Sequence, residues 1–166
     1  MQRQDRADRM LSDWEREIPG MATLELGAVK RVGRLAGLIE TATLAALAPF
    51  GVTYAEFDVL ATLRREPAPH ELQPRILAAR ASLTTGGISN IVNRLVRAGL
   101  VERRPNESDG RSALVRLSST GVSETERMAE ATKAAHTAFF SSVPQAQLRQ
   151  LDDLLRTALL DLGDEA

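Results

Sequence analysis

The sequence from Thr84 to Leu117, TTGGISNIVNRLVRAGLVERRPNESDGRSALVRL, combines one helical repeat with two short β-prone runs. Four apolar residues recur at helical spacing and predict a face that packs inward, namely Ile88, Val92, Leu95 and Val96. The other side of the same helix carries polar residues, namely Ser89, Asn90, Asn93, Arg94 and Arg97. One face is therefore expected to pack, while the other is free to bind a partner.

Both ends of this helix, and the hairpin after it, can be placed from local residue types. Ser82 or Thr84 is expected to cap the N-terminus, and Gly99 supplies the left-handed residue that ends a helix. Two β-prone runs follow, residues 100–104 and 113–117. Because turn formers fill the sequence between them, we expect a β-hairpin. A polar-faced helix followed by a hairpin is typical of a winged helix that binds DNA.

Charge is distributed unevenly along a chain whose formal net charge is only −1. Residues 88–116 carry six arginines against three acidic residues, whereas residues 141–166 carry two arginines against five acidic residues. Because affinity for DNA depends on neutralising phosphates, the local surplus of positive charge matters more than the whole-chain balance. The middle of the chain is therefore the expected DNA-facing part, and the tail is expected to face solvent or a partner.

Composition argues against several classes of function. The chain has 166 residues, 43% of them hydrophobic, and no cysteine, so it can bury one core but has no disulfide or nucleophilic thiol. Its two histidines lie far apart, and no phosphate-binding glycine loop or catalytic Ser, His and Asp arrangement is recognisable, so we expect no enzyme, cofactor or metal. Without a recognisable membrane span or secretory signal, we expect a cytoplasmic protein with no membrane partner.

The rest of the sequence predicts helices on both sides of this region. They are expected around residues 10–18, over 24–47, after a Thr53 cap with Glu56 as its partner, over about 70–79, over about 119–140, and from 144 through a leucine stripe. This predicts a mainly α fold with a small β-wing in one domain, residues 1–166. Within it we expect a DNA-binding lobe at residues 51–118 and dimerisation helices at residues 1–50 and 119–166.

The order of these elements resembles that of the MarR family of bacterial transcription regulators, and the resemblance covers nearly the whole chain. It is carried by residues 56–60 (EFDVL), 93–95 (NRL), 98–101 (AGLV), 109–111 (DGR) and 117–121 (LSSTG). Residues 13–19 (DWEREIP) further resemble the additional helix of a branch that includes urate-responsive regulators. The resemblance implies a winged helix-turn-helix homodimer that represses from a pseudo-palindromic operator and is released by a small aromatic or anionic ligand.

The same resemblance assigns contacts with double-stranded DNA to two elements. The recognition helix is expected to meet bases and phosphates through Thr84, Thr85, Gly86, Ser89, Asn90, Asn93, Arg94 and Arg97. Of these, Asn90 is the expected bidentate adenine contact. In the wing, Arg111 is expected to enter the minor groove, oriented by Asp109, while Arg103 and Arg104 contact phosphates.

Three positions leave alternatives open. Arg94 either contacts DNA or forms an internal ion pair, since the resemblance allows both roles. Ile91 stands where a basic or polar residue is frequent, and Gly110 leaves one arginine at the wing tip where many relatives have two. We therefore expect modest DNA affinity, and a protein-interaction adaptor without strong DNA binding is the alternative function.

Effector binding is assigned to Trp14 and Asp58. An aromatic anion needs a stacking surface and a hydrogen-bonding group in a partly buried cleft, and these two side chains supply them. In the alternative interpretation, Trp14 only anchors an amphipathic helix by packing, and Asp58 is only an acid on a helix surface.

Overall fold

The computed structural model describes residues 4–81, 83–106 and 113–164. Helices predominate, and three short strands form one antiparallel sheet. The elements in chain order are α1 (Arg6–Glu17), α2 (Leu24–Leu47), a 3-10 turn (Ala48–Phe50), α3 (Tyr54–Arg65), β1 (Glu71–Leu72), α4 (Pro74–Arg80), α5 (Thr85–Arg97), β2 (Val101–Pro105), β3 (Ala113–Leu117), α6 (Ser119–Phe139) and α7 (Gln145–Asp161). The chain forms two compact units, one ending at Ala42 and one beginning at Thr43.

In the N-terminal unit, Arg31 links α2 to the start of α1. Asp5 caps α1 by accepting from the Asp8 N–H at 2.8 Å, and the Asp8 carboxylate accepts from the Asp5 N–H in return. Arg31 of α2 donates to Asp5 at 2.8 Å and to Asp8 at 2.6 Å. These bonds, with the Arg31 contribution the largest, lower the pKa of Asp5 to about 2. Helix α1 is thereby held on α2.

The second unit has one apolar core, to which α3, α4, α5, the sheet and α6 all contribute. Helix α3 begins as predicted, with Thr53 and Glu56 forming a capping box. The fully buried apolar side chains are Leu47, Val59, Leu60, Leu63, Leu77, Ile88, Leu95, Val92, Val115 and Met128. The predicted hairpin is confirmed, with Arg103 of β2 opposite Val115 of β3. The recognition helix α5 is therefore packed against several other elements of this core.

The predicted helix over residues 70–79 is wrong in its first half. Glu71 and Leu72 form the third strand, paired with Arg116 and Val115 of β3. The helix begins only at Pro74, because proline fits the first turn of a helix and holds the preceding residue in an extended conformation. The sheet thus has the strand order β1-β3-β2 rather than being a hairpin alone.

Where α5 ends, the wing and α6 meet in a tight junction. Gly99 has φ +71°, the left-handed conformation predicted for the helix stop. The Ser118 hydroxyl donates to the Gly99 carbonyl at 2.7 Å and accepts from the Gly121 N–H at 2.9 Å. The Ser118 N–H also donates to the Leu100 carbonyl at 3.1 Å. The first turn of α6 is therefore attached directly to the end of the recognition helix.

This junction predicts that Gly121→Ala strongly destabilises the protein. A Cβ atom at Gly121 would lie 1.9 Å from the Leu100 carbonyl oxygen, and neither backbone can yield without breaking the Ser118 bonds. We expect a loss of about 2–3 kcal/mol or more in the free energy of unfolding. The matched control is Gly37→Ala in α2, where a Cβ meets nothing within 4 Å. It should gain roughly 0.5–1 kcal/mol from helix propensity.

Urea unfolding of both variants at one protein concentration measures the difference. Equal stability of the two alanine variants would contradict the described packing of α6 on Leu100.

In the described part of the chain, no single helix is long and apolar enough to cross a membrane. Of the described residues, only Leu24–Phe50 and Tyr54–Arg65, taken together as a bent pair, are long and apolar enough to cross a membrane. This holds by length and composition alone.

Candidate nucleic-acid interface

The recognition helix α5 has one buried face and one exposed polar face. The buried face consists of Ile88, Ile91, Val92 and Leu95, each at most 6% exposed. The exposed residues include Gly86, Ser89, Asn90, Asn93, Arg94 and Arg97, and Thr84, the cap before the helix, is exposed too. Thr84 accepts from the Gly87 N–H at 3.2 Å, which confirms it as the cap, and Thr85 is the first residue of the helix.

Two residues of α5 lie on the opposite face from the one expected. Val96, expected on the apolar face, is 39% exposed. Ile91 is 6% exposed and belongs to the core, so it does not replace a surface contact, and the expected modest DNA affinity stays a prediction. Ile91 is buried because the apolar stripe of α5 follows the spacing i, i+3, i+4, i+7 from Ile88.

Arg94 forms the internal ion pair, one of the two roles that the sequence left open. Its Nε donates to Glu56 Oε1 at 2.7 Å, and Glu56 is only 8% exposed. The second carboxylate oxygen accepts from the Thr53 N–H at 2.7 Å and from the Thr53 hydroxyl at 2.9 Å. Burial alone raises the pKa of Glu56, but the bonds from Thr53 and Arg94 outweigh it and lower the pKa. The buried charge is thus fully paired.

Replacement of Arg94 tests whether this ion pair holds α5 on α3. We expect Arg94→Ala to reduce the free energy of unfolding by about 1 kcal/mol, because Glu56 keeps its Thr53 donors and half of the Arg94 side chain is in solvent. Lys133→Ala, which breaks an exposed pair with Glu130, is the control and should change stability by less than about 0.5 kcal/mol. Equal effects in urea unfolding would contradict the role assigned to Arg94.

Three arginines beside the polar face of α5 are held in different ways. Arg103 of β2 donates from Nη2 to the Asn93 side-chain oxygen at 2.8 Å. Arg97 donates from Nε to the Asn93 main-chain oxygen at 3.3 Å. Arg104 is paired instead with Glu102 at 3.0 Å. The role of Asn93 as a shared acceptor was missed, because nothing in the sequence indicates that β2 returns to this point of the helix.

The predicted tip of the wing, with Asp109 and Arg111, lies outside the described residues. The base of the wing is described, and its strands β2 and β3 pair from Val101 with Leu117 to Pro105 with Ala113. Asp109 and Arg111 therefore remain predictions.

The two predicted effector residues belong to different units of the chain. Trp14 is on α1 and is 38% exposed, so it is only partly covered within its own unit. Asp58 is on α3 and half-buried. Its burial raises the pKa, opposed by the charge of Arg65, and no hydrogen bond to this carboxylate is found within the described residues. In the same ranges, no group of three or more His, Asp or Glu side chains is arranged to hold a metal ion.

Comparison with known proteins gives one consistent family. Residues 50–112 match the family model described as the MarR family. The HTH-type transcriptional regulator PecS of Dickeya dadantii (strain 3937) is 27% identical over 73% of this chain and 73% of its own length. Helix α5 lies within the residues that match the family model.

Solved structures extend the similarity to most of the fold. A mutant of MarR from E. coli complexed with operator DNA superposes with a TM-score of 0.70 at 25% identity, covering 88% of this chain and 97% of that one. CouR from Rhodococcus jostii RHA1 bound to p-coumaroyl-CoA gives a TM-score of 0.65 at 26% identity, covering 76% and 87%.

The anchored helix with an outward polar face, beside a paired hairpin, defines a winged helix-turn-helix transcriptional regulator. Residues 50–112 match the MarR family, and most of the chain is similar in sequence and fold to regulators of that family.

Proposed function

We propose that this protein is a homodimeric repressor that binds a pseudo-palindromic operator and releases it when a small aromatic or anionic ligand binds. The observation that carries the proposal is the two-faced helix α5, whose apolar side is locked into the core while its polar side is exposed. An α-helix fits the major groove of B-DNA, where side chains can reach base edges. The face that would enter the groove is the one that the core leaves free.

Base contacts are expected from the N-terminal half of α5. Ser89 and Asn90 are exposed there, and Asn90 has the amide group that forms two hydrogen bonds with adenine. The backbone at Gly86 has no side chain to keep a phosphate away, and helix N-termini attract phosphates. Arg111 in the wing is the proposed minor-groove contact. Arg94 is left out of this set, because it is engaged by Glu56.

Dimerisation is proposed for residues 1–50 and 119–166, with residues 51–118 as the DNA-binding lobe. In support, α7 buries none of its side chains within the chain, and it exposes Leu154, Leu159 and Leu160. Helix α2 likewise exposes Val29 and Val32. Extended apolar surfaces of this kind are typical of subunit interfaces. A two-fold dimer would present two copies of α5 to two half-sites of the operator.

Trp14 and Asp58, each within its own unit, are proposed as effector contacts. The relative CouR was crystallised with p-coumaroyl-CoA, which supports an aromatic or anionic ligand for a family member. Asp58 is held half-buried without a hydrogen-bond partner in the described ranges, an unfavourable arrangement for a carboxylate that is common at functional sites. Ligand binding is proposed to favour a dimer geometry that no longer matches the half-site spacing.

Selection from a pool of random-sequence duplexes tests the proposed operator. The intact protein should enrich an inverted repeat whose half-sites are about 10 base pairs apart from centre to centre. The Asn90→Ala variant should lose discrimination at one position of each half-site, by roughly tenfold, because one bidentate base contact is removed. Failure of the wild-type protein to enrich any sequence over a mock selection would contradict DNA-specific binding and favour the adaptor.

The half-buried position of Asp58 predicts a pH-dependent gain in stability for Asp58→Asn. The raised pKa means that the neutral acid suits the fold better, so Asp58 contributes stability at low pH that is lost as pH rises through the raised pKa. At pH 7 the variant should therefore melt above the wild type, and the difference should vanish below about pH 4, where the wild-type acid is neutral too. A gain independent of pH would contradict the burial of a charged Asp58.

A thermal-shift screen of aromatic acids, phenols and purines such as urate identifies the ligand class. A compound that stabilises the wild type should release the selected duplex, and both effects should weaken in Asp58→Asn and Trp14→Ala. Undiminished effects in both variants would place the effector elsewhere.

A further inference from the structure

We propose that Asn93 reads no base, but positions Arg97 and Arg103 as a joint binding site for DNA backbone phosphate. This inference rests on the proposed DNA-binding function and specifies the part that one end of the recognition helix plays in it. We call the three residues the Asn93 clamp. It joins an arginine of the helix to an arginine of the wing through one asparagine.

The two arginines reach Asn93 from different elements and use different oxygens. Arg103 of β2 donates to the side-chain oxygen at 2.8 Å, and Arg97, one turn further along α5, donates to the main-chain oxygen at 3.3 Å. All three residues are exposed, so their remaining polar atoms face solvent rather than the core. The guanidinium groups are therefore held near one point of the surface where the helix meets the wing.

Hydrogen-bond chemistry fixes which way the Asn93 amide turns. A guanidinium group contains only donors, so the amide oxygen must face Arg103 and the amide nitrogen must turn away. No partner for that nitrogen is found among the described residues. The clamp thus offers outward N–H donors and two positive charges, and a phosphate group, with several acceptor oxygens and negative charge, is the complementary ligand.

The same geometry argues against base reading by Asn93. Bidentate recognition of adenine needs both the oxygen and the nitrogen of the amide at the base edge. Because Arg103 already donates to the Asn93 oxygen, one of its two acceptor sites is taken, and the orientation of the amide is set by the arginine rather than by a base. Asn90, which is exposed one turn earlier, keeps that role in the proposed function.

The other arginines of α5 and β2 are neutralised by acids. Arg94 is paired with the buried Glu56, and Arg104 is paired with Glu102. Arg97 and Arg103 have no acidic partner within the described residues. Of the four, they therefore carry the charge that is available for phosphate, and Arg104 provides a control of the same type on the same strand.

The test measures binding of the intact protein to the selected duplex and to a scrambled duplex, as potassium chloride is raised from about 50 to about 200 mM. Asn93→Ala should weaken binding to both duplexes by about fivefold, the effect of one lost hydrogen bond, and leave their affinity ratio unchanged. Arg103→Ala should also reduce the slope of log affinity against log salt by about 1. The Asn93→Ala change should have little further effect in the Arg103→Ala background, but its full effect in the Arg104→Ala background.

Three outcomes would overturn the clamp. A fall of about tenfold or more in the affinity ratio for Asn93→Ala would show that Asn93 reads a base. Unchanged affinity of Asn93→Ala for both duplexes would show that the side-chain contact between Asn93 and Arg103 does not serve binding. Full additivity of Asn93→Ala with Arg103→Ala would show that the two side chains act separately. If the wild-type protein bound the selected and the scrambled duplex equally well, the proposed function itself would be contradicted. The two failures are therefore distinguishable.

Discussion

The arrangement of the second unit depends on a buried carboxylate. Glu56 is almost inaccessible to solvent, and a charge in that position is tolerated only when its oxygens are hydrogen-bonded. Thr53 supplies two donors from the start of α3, and Arg94 supplies the third from α5. The Arg94–Glu56 ion pair and the apolar stripe of α5 both fix the rotation of this helix about its own axis. This rotation determines which side chains of α5 face outward.

Some arginines of α5 and β2 are paired with acidic side chains, and others keep their positive charge at the surface. A surplus of arginine along residues 88–116 marks the segment that is proposed to face DNA, but the number of arginines overstates the charge available to phosphate. Arg94 balances Glu56, and Arg104 balances Glu102. The arginines on Asn93 are oriented by neutral oxygens, so their charge is retained. This division explains how a chain with a net charge of −1 can present a basic surface at one place.

Sequence predicts those features whose causes are local. The Thr53 capping box, the Thr84 cap and the Gly99 stop each depend on residues within one turn of the chain, and all three are confirmed. The strand Glu71–Leu72 was missed, because it is only two residues long and exists through pairing with the distant β3. Ile91 was misplaced because the family resemblance suggested a polar residue there, although its spacing from Ile88 fits the buried stripe. The contact of Asn93 with Arg103 was missed because it depends on how the chain turns between α5 and β2.

The central claim, that the polar face of α5 lies against DNA, can be measured directly because the chain has no cysteine. A single thiol is introduced by Ser89→Cys on that face, or by Lys133→Cys on the exposed side of α6 as a control. The rate of alkylation is then followed with and without the selected duplex. The duplex is expected to protect position 89 in proportion to the bound fraction and to leave the rate at position 133 unchanged. Unchanged alkylation at position 89 in the saturated complex would contradict the central claim.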